Sequence, residues 1–288
     1  MQGNDNLPVL LVGASGRVGQ MVTYHWRQKC SDLSLLPQFR RQVEAQRSLI
    51  WDPLAGSDAL LQAAYRTGGF CAMVVLNGVT PGQGRDLNLN ETLALACLDA
   101  AARTEIPRVL LASSSAVYGV GAALPETAVC APVNDYGAAK LRMERASAPW
   151  REKEIDLCIL RIGNVAGADA LLLNVASAGP DKIIEIDVFQ DGRGPVRSYI
   201  GTETLTEVIQ SLCVHPSALP NILNIGTPLP VSMDALADAA GQPWRARTAA
   251  SSAMQTITLD CSLLASFHSF TVRDSDPINM IQQWKESA

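Results

Sequence analysis

The 288-residue sequence lacks the excess of positive charge that nucleic-acid-binding proteins use. Its 23 lysines and arginines are outnumbered by 28 aspartates and glutamates, so the formal net charge is -5. Binding to a phosphate backbone needs a basic surface, and we therefore expect no nucleic-acid partner. Charged residues make up 18% of the chain and hydrophobic residues 48%, which is typical of a soluble globular protein rather than a disordered one.

The sequence also lacks a cysteine framework and a membrane-directed segment. The stretch MQGNDNLPVLLVGASG has no basic region ahead of its short apolar run, so we expect neither a signal peptide nor a membrane span. Seven cysteines are an odd number and include no C-x-x-C pair, which predicts reduced thiols in a cytoplasmic protein rather than disulfides or a zinc site. They are Cys30, Cys71, Cys97, Cys130, Cys158, Cys213 and Cys261.

Motifs of several enzyme classes are missing as well. The chain has no G-x-S-x-G nucleophile elbow, no G-K-[ST] phosphate loop and no H-E-x-x-H metal motif. Its three histidines, His25, His215 and His268, lie far apart in the sequence. We therefore interpret them as packing or surface residues and predict no metal site.

What the sequence does contain is a regular alternation of apolar stretches with segments of helical periodicity. Nearly continuous hydrophobicity is typical of strands covered on both faces, and the intervening helices provide that cover. The pattern predicts an α/β fold with a doubly wound parallel sheet of the Rossmann type. Strands are expected over 8–13, 32–36, 71–77, 108–114, 156–163 and 221–226, and helices over 18–29, 90–104 and 136–148.

The pattern becomes looser from about residue 168, where turn signals such as DGRGP and GTPLP appear. We predict a core domain formed by residues 1–167 and 200–227. Residues 168–199 and 228–288 are predicted to form a smaller C-terminal lobe that binds the substrate.

A glycine-rich turn, GASGRVG, follows the first predicted strand and precedes the first predicted helix. Glycines at this spacing allow a tight turn, the close approach of backbone N–H groups to a pyrophosphate, and close packing of helix on strand. In this context the turn predicts a dinucleotide site, although a purely structural turn is the alternative. The candidate cofactor-binding residues are Gly13, Ser15, Gly16, Arg17, Val18 and Gly19.

The residues after the second strand bear on which dinucleotide binds. An acidic residue there binds the 2'-hydroxyl of NAD, whereas arginine can pair with the 2'-phosphate of NADP. The segment PQFRR has no acid and carries Arg40 and Arg41, which favours NADP over NAD unless these arginines simply form a basic surface turn. Asp52 is a candidate for the adenine end of the cofactor, or it begins a turn.

The stretch YGAAK places Tyr136 one helical turn before Lys140, so both side chains can point at the same pocket. A phenol with a pKa near 10 is a weak base at neutral pH, and a nearby ammonium favours its ionised form. Three serines, at 113–115, end the preceding strand and could supply a hydroxyl for the substrate oxygen. This combination predicts a hydride-transfer site for an alcohol and its carbonyl.

With GASGRVG, SSSAVYG and YGAAK in this order, the chain resembles the extended short-chain dehydrogenase/reductase superfamily, the NAD(P)-dependent sugar epimerases and dehydratases. The resemblance implies that Ser114, four residues before Tyr118, is the catalytic hydroxyl. It further implies that Tyr136 and Lys140 are catalytic and also contact the cofactor.

The resemblance extends to NETLALACLDAA, LRIGNVAG and DGRGPVRSYIGTETL. It implies that Asn90 serves the cofactor site and that Ser115, Asn164 and Arg197 serve the substrate, with a structural ion pair as the alternative for Arg197. NVAG lacks the usual tyrosine and proline, and SYIGTET lacks the usual histidine and aspartate. The substrate therefore stays open here.

Two functions from different classes follow from the resemblance. The first is an epimerase or NADP-dependent reductase that acts on a sugar, a nucleotide sugar or a related hydroxy-carbonyl compound. Dehydration is disfavoured because no acid follows Ser114. The second is a regulatory protein that binds NADP without turnover. In many relatives helices equivalent to 90–104 and 136–148 form a homodimer interface, so a homodimer is expected by resemblance.

Overall fold

A parallel sheet of seven strands organises the chain in the computed structural model, which describes residues 7–29, 33–43, 47–153, 155–179 and 181–288. The sheet order is β3-β2-β1-β4-β5-β6-β11, and every neighbouring pair in it is parallel. These strands are β1 (Val9–Val12), β2 (Leu35–Phe39), β3 (Leu49–Ile50), β4 (Ala72–Val75), β5 (Arg108–Ser114), β6 (Asp156–Ile162) and β11 (Ile222–Ile225). The order reverses between β1 and β4, which confirms the predicted doubly wound Rossmann sheet.

Eight α-helices, seven short strands and five short 3₁₀ helices complete the described secondary structure. The helices are α1 (Arg17–Gln28), α2 (Asp58–Thr67), α3 (Leu89–Arg103), α4 (Asp135–Ser147), α5 (Ala170–Ala178), α6 (Thr202–Val214), α7 (Met233–Ala240) and α8 (Pro277–Glu286). The short strands are β7 (Asn164–Val165), β8 (Ile184–Val188), β9 (Val196–Arg197), β10 (Tyr199–Ile200), β12 (Val231–Ser232), β13 (Trp244–Thr248) and β14 (Thr256–Ile257).

The central strands are apolar because both of their faces are buried. Successive side chains of a strand point to opposite faces, so Val9 and Leu11 pack on one side of β1 and Leu10 and Val12 on the other. The first face is covered by α1 and α6, and the second by α2 and α3. Because both faces are covered, the sequences of these strands are nearly continuous hydrophobic runs.

The second strand lies further along the chain than the sequence predicts. It runs from Leu35 to Phe39 instead of 32–36, and Asp32 lies outside the described residues. Pairing with β1 on one side and β3 on the other holds Pro37 and Gln38 in the strand, where the sequence indicates a turn. The fixed φ of proline is compatible with extended structure. Pairing with the neighbouring strands, rather than the local turn signal, therefore determines the conformation of this segment.

Residues after β6 form a further apolar cluster that involves β8 and helices α5, α7 and α8. Strand β8 pairs in parallel with β13, and α8 packs on both α7 and α6. The proposed division of the chain at 167/168, 199/200 and 227/228 stays a prediction.

Among the described residues, no helix is both long and apolar enough to cross a membrane. The six described cysteines are free thiols; Cys30 lies outside the described residues.

Candidate active site

The turn between β1 and α1 has the backbone geometry that a pyrophosphate site requires. Gly13 has a φ of 91°, and a Cβ at this position would lie 2.5 Å from the backbone nitrogen of Asn77. A Cβ at Gly19 would lie 2.2 Å from the carbonyl oxygen of Gly13. Gly16 begins α1 without a side-chain cap, so the first N–H groups of the helix stay available to an anion. The residues present therefore fit the phosphates of a dinucleotide.

A cavity of about 550 Å³ adjoins this turn and includes Gly13, Ser15, Gly16 and Arg40 in its wall. Arg41 and Arg17 are exposed and are not among its lining residues. Of the two candidate arginines, the structure therefore places Arg40 at the cleft. The first turn of α1 also contributes Val18, which lines the adjoining cavity described below.

Gln38 occupies the end of β2 beside this cavity, and the sequence analysis did not select it. Its Oε1 accepts a hydrogen bond from the backbone N–H of Gly13 at 3.0 Å, while its Nε2 donates to the carbonyl oxygen of Trp51. Gln38 thus ties the glycine turn to the segment after β3. Its signal in the sequence is a polar residue inside an apolar strand.

Asp52 and Asn90 both hold loops of the cleft in place. The Asp52 carboxylate accepts from the backbone N–H of Leu54 at 3.1 Å and begins a short 3₁₀ turn, and Leu54 rather than Asp52 is among the cavity residues. Buried Asn90 accepts from the N–H of Val79 at 3.0 Å and donates to its carbonyl oxygen at 2.9 Å. Asn90 therefore clamps the loop after β4.

A second cavity, of about 310 Å³, brings Ser114, Tyr136, Lys140 and Asn164 together. It shares the loop residues 76, 78 and 79 with the first cavity. The two cavities therefore adjoin each other along the carboxyl ends of β1, β4, β5 and β6, where ligands of open α/β sheets bind, and we call this region the cleft. The structure thus joins the glycine turn and the Ser-Tyr-Lys residues in one site.

The three serines that end β5 have different environments. Ser113 is buried and donates a hydrogen bond to the Glu144 carboxylate at 2.5 Å. Ser114 accepts from the N–H of Ala116 at 3.2 Å, and its side chain interacts with the phenol of Tyr136. Ser115 begins the following 3₁₀ turn and is not among the lining residues. Contact with Tyr136 therefore favours Ser114 as the catalytic hydroxyl.

Burial dominates the electrostatics of Tyr136 and Lys140. It raises the pKa of the Tyr136 phenol, and the interaction with Ser114 partly opposes this shift. Burial lowers the pKa of the Lys140 ammonium to about 8, against the attraction of Glu144. Lys140 Nζ donates to the carbonyl oxygen of Ala112 at 3.0 Å. The expected lowering of the tyrosine pKa by Lys140 is therefore not seen in this structure, where burial raises the pKa of the phenol and Ser114 is the group that opposes the rise.

A buried ion pair between Glu144 and Arg161 lies close to the cavity residue Lys140. Glu144 follows Lys140 by one turn of α4 and accepts from Arg161 of β6 at 2.7 Å, with both side chains about 5% exposed. Arg161 also stacks over the ring of Tyr118 at 4.6 Å, and the Tyr118 hydroxyl donates to Asn224 at 2.7 Å. This network links α4 to β5, β6 and β11 and so fixes the position of Lys140.

The structure places the predicted substrate residues Asn164 and Arg197 in different surroundings. Asn164 lines the cavity and interacts through its side chain with the phenol of Tyr199. Arg197 is not among the lining residues, because its guanidinium donates to the carbonyl oxygens of Val196, Met254 and Gln255. Within the part of the chain that the structure describes, backbone carbonyls and no carboxylate hold Arg197.

Two further residues of the cleft were missed by the sequence analysis. A Cβ at Gly78 would lie 2.8 Å from Asn90 Oδ1 and 3.3 Å from Lys140 Nζ, so the absence of a side chain there leaves room for the lysine. Asp169 lines the cavity beside Asn164 and caps α5. An aspartate before the apolar run ALLL is a recognisable helix start, but nothing in that signal indicates a place in the cleft.

Comparison with known proteins identifies relatives of this architecture. A sequence model described as "NAD dependent epimerase/dehydratase family" matches residues 9–226. A UDP-glucose 4-epimerase of Azospirillum brasilense is 40% identical over 86 residues, which cover 28% of this chain and 24% of that enzyme.

Solved structures match over almost the whole chain. UDP-glucose 4-epimerase from Brucella ovis, in complex with NAD, superposes with a TM-score of 0.78 at 20% identity and covers 96% of this chain and 97% of that one. MoeE5 in complex with UDP-glucose and NAD gives a TM-score of 0.76 at 21% identity and covers 97% of this chain and 99% of that one. MoeE5 was also solved with UDP-glucuronic acid and NAD, with the same TM-score and identity and coverage of 98% and 100%. These likenesses establish the shared fold.

Proposed function

Because the chain belongs to the NAD dependent epimerase/dehydratase family, we propose that it interconverts a secondary alcohol and a ketone on a sugar or nucleotide sugar by hydride transfer. The observation that carries this proposal is that the cavity at the glycine turn of β1–α1 adjoins the cavity lined by Ser114, Tyr136 and Lys140. A nicotinamide cofactor, when bound, supplies the hydride acceptor and donor for this chemistry. The protein supplies position, charge and proton transfer.

In this proposal Tyr136 takes the proton of the substrate hydroxyl at its phenolic oxygen and returns it to the carbonyl oxygen in the reverse reaction. Ser114, whose side chain interacts with Tyr136, orients the same substrate oxygen. Lys140 presents a positive charge on the same face of α4, and its Nζ donates to the carbonyl oxygen of Ala112. Its ammonium offsets the negative charge that the phenol acquires.

We further propose that the cofactor is NADP in preference to NAD. Arg40 is an exposed cation at the edge of the cavity beside Gly13 and Ser15, where it can pair with a 2'-phosphate. Gln38 lies in β2, two residues before Arg40, and its side-chain amide already forms hydrogen bonds with Gly13 and Trp51. The related structures named above contain NAD, so this preference would distinguish the present chain from them.

The absence of an acidic residue beside Ser114 favours epimerisation or reduction over dehydration. Positions 115 and 116 are serine and alanine, and neither can act as the acid that eliminates water. A nucleotide-linked sugar is supported by the family and by the UDP-sugar complexes of MoeE5. We propose Asn164 as a contact of this substrate because it lies in the same wall as Tyr136.

The test is turnover of a panel of sugars and nucleotide sugars, with NADP and NAD, by wild type and Tyr136→Phe. Loss of general acid-base catalysis should lower kcat by about 10²–10⁴-fold. Tyr65→Phe is the matched control, because Tyr65 is 91% exposed on α2. If the cofactor binds and no compound gives Tyr136-dependent turnover, the regulatory function replaces the catalytic one.

A further inference from the structure

Lys140 and Glu144 lie one turn apart on α4 and contact adjacent residues of β5. Lys140 Nζ donates to the carbonyl oxygen of Ala112 at 3.0 Å, and Glu144 Oε1 accepts from Ser113 Oγ at 2.5 Å. Side chains at i and i+4 of a helix are neighbours on one face. The Lys140 ammonium and the Glu144 carboxylate are therefore held on the same side of α4, against the same strand.

Lys140 carries its charge in a place where water cannot support it. The residue is 4% exposed, and besides Ala112 its Nζ contacts the Met143 sulfur at 3.8 Å, which is a weak acceptor. Burial lowers the pKa of the ammonium to about 8, and Glu144 opposes this shift. A buried ammonium stays protonated at neutral pH only if a negative charge lies close to it.

Other ionisable groups around Lys140 do not provide this charge. Asp169 lines the same cavity, but its carboxylate is bound by the Tyr199 hydroxyl and the first turn of α5, and the charge that raises the pKa of Lys140 is that of Glu144. Three further groups stay neutral near pH 8 because burial raises their pKa values. They are Tyr118 after β5, Tyr136 of α4 and Cys97 of α3.

Arg161 of β6 is the cation that pairs with Glu144, at 2.7 Å. Its guanidinium also donates to the carbonyl oxygen of Glu126 at 3.2 Å and lies 4.6 Å from the ring centre of Tyr118. Neither Glu126 nor Tyr118 is among the cavity residues. Arg161 favours the ionised form of the buried carboxylate, which is the form that attracts Lys140.

We propose that Glu144 is a positioning residue that acts through Lys140: its buried carboxylate keeps Lys140 in the ammonium form at neutral pH, as proton transfer by Tyr136 requires. The catalytic part of this inference rests on the proposed function, in which the ammonium offsets the negative charge of the phenol. The charge of Lys140 itself can be measured without a substrate.

The first measurement is the free energy of unfolding of the full-length chain as a function of pH, from urea titrations. Each protein is compared with the same protein carrying Lys140→Met. The difference within a pair is constant below the pKa of folded Lys140 and rises with pH above it, so the onset of the rise gives this pKa. The proteins are wild type, Glu144→Gln, which removes the charge, and Glu144→Asp, the matched control that keeps it.

We expect the onset near pH 8 in wild type and in Glu144→Asp. In Glu144→Gln it should move to about pH 7 or lower, because loss of a nearby opposite charge shifts a pKa by about one unit or more. An unchanged onset in Glu144→Gln overturns the inference, and so does an equal shift in Glu144→Asp. If Glu144→Gln does not fold with Arg161 unpaired, the double variant Glu144→Gln/Arg161→Met replaces it, and an onset near pH 8 in that protein overturns the inference.

The second measurement is the pH profile of turnover in the cofactor-loaded proteins, with the compound of the panel that wild type converts. The alkaline fall of kcat should move to lower pH in Glu144→Gln by as much as the onset does, and should keep its place in Glu144→Asp. An unchanged profile beside a shifted onset refutes the catalytic part of the inference.

The two measurements also separate this inference from the proposed function. Tyr136-dependent turnover with an unchanged onset supports the function and refutes the role of Glu144. A shifted onset without turnover of any compound supports the effect of Glu144 on Lys140 and refutes the catalytic function. If the onset is unchanged and nothing is turned over, both are wrong.

Discussion

At the scale of single residues, Arg40 and Arg41 form a natural pair for testing the cofactor preference. Both are exposed and adjacent in the chain, but Arg40 alone of the two is among the lining residues of the cavity beside the glycine turn. Arg40→Ala should weaken NADPH binding by about five- to tenfold, because a charge-assisted contact with the 2'-phosphate is lost, and should hardly change NADH binding. Nicotinamide fluorescence titrations measure both affinities.

Arg41→Ala is the control and should leave both affinities at their wild-type values. Equal or tighter binding of NADH by the wild-type protein would contradict the proposed NADP preference, whatever the variants do. A similar loss in both variants would indicate a general effect of surface charge rather than a contact of Arg40.

Lys140 makes a second prediction at this scale, which concerns stability. Burial lowers its pKa from 10.5 to about 8 in the folded protein, so between these pH values the unfolded chain binds more protons. Stability should therefore rise with pH across this window, by about 1.4 kcal/mol between pH 7 and pH 9. Lys140→Met has no ionisable group at this position, so its stability should lack this dependence on pH.

The measurement is the difference in free energy of unfolding between wild type and Lys140→Met, from urea titrations at several pH values. Buried cysteines and Tyr136 titrate above pH 8 in both proteins, and the difference removes their contribution. A difference that does not change with pH would show that Lys140 keeps an ordinary pKa in the fold.

At the scale of elements, the contact between α1 and β1 depends on Gly19. A Cβ there would lie 2.2 Å from the carbonyl oxygen of Gly13, whereas one at Gly16 would lie 3.3 Å from the same atom. Gly19→Ala should lower the free energy of unfolding by about 2 kcal/mol or more, because helix and strand must separate, and should weaken dinucleotide binding. Gly16→Ala should lower the free energy of unfolding by less than Gly19→Ala does. Urea unfolding and cofactor titration test this, and similar losses in both variants would contradict it.

Sequence patterns predict elements well where both the pattern and its cause are local. The run RVLLASS predicts β5 at its observed bounds because its apolar centre, 109–111, is buried in the sheet, and YGAAK predicts a shared helix face for Tyr136 and Lys140. The two-residue strand β3 is too short to produce a pattern. The different orientations of Ser113 and Ser114 depend on Glu144 and Tyr136, which are distant in sequence.

At the scale of the whole molecule, the candidate site is assembled from segments that can be predicted one at a time, whereas the contacts between these segments cannot. Arg197 matches the family pattern, yet the segment at 254–255 determines its hydrogen bonds. Asp169 gives a clear helix-start signal, yet its place in the cleft follows from the path of the chain after β6. The expected homodimer stays a prediction, as does the cytoplasmic location.

Gln283 is a buried polar side chain of helix α8 that hydrogen-bonds the start of α6. Its Oε1 accepts from the N–H groups of Glu203 at 3.0 Å and Thr204 at 3.2 Å, at the start of α6, and its Nε2 donates to Thr204 Oγ1 at 3.1 Å. Its carbonyl oxygen also contacts buried His25 of α1 at 3.1 Å. Gln283 thus satisfies helix-terminal donors that would otherwise be buried without partners.

Gln283→Ala should therefore lower the free energy of unfolding by about 2–3 kcal/mol, since it leaves these donors unsatisfied and creates a cavity. The adjacent Gln282→Ala is the control, because Gln282 is exposed and bonds Glu286. Urea unfolding gives the stabilities, and limited proteolysis shows whether α8 detaches first. Cofactor affinity should be unchanged in both variants, because Gln283 is not among the cleft residues. Equal stability of the two variants would mean that apolar packing of α8, and not Gln283, joins this helix to the core.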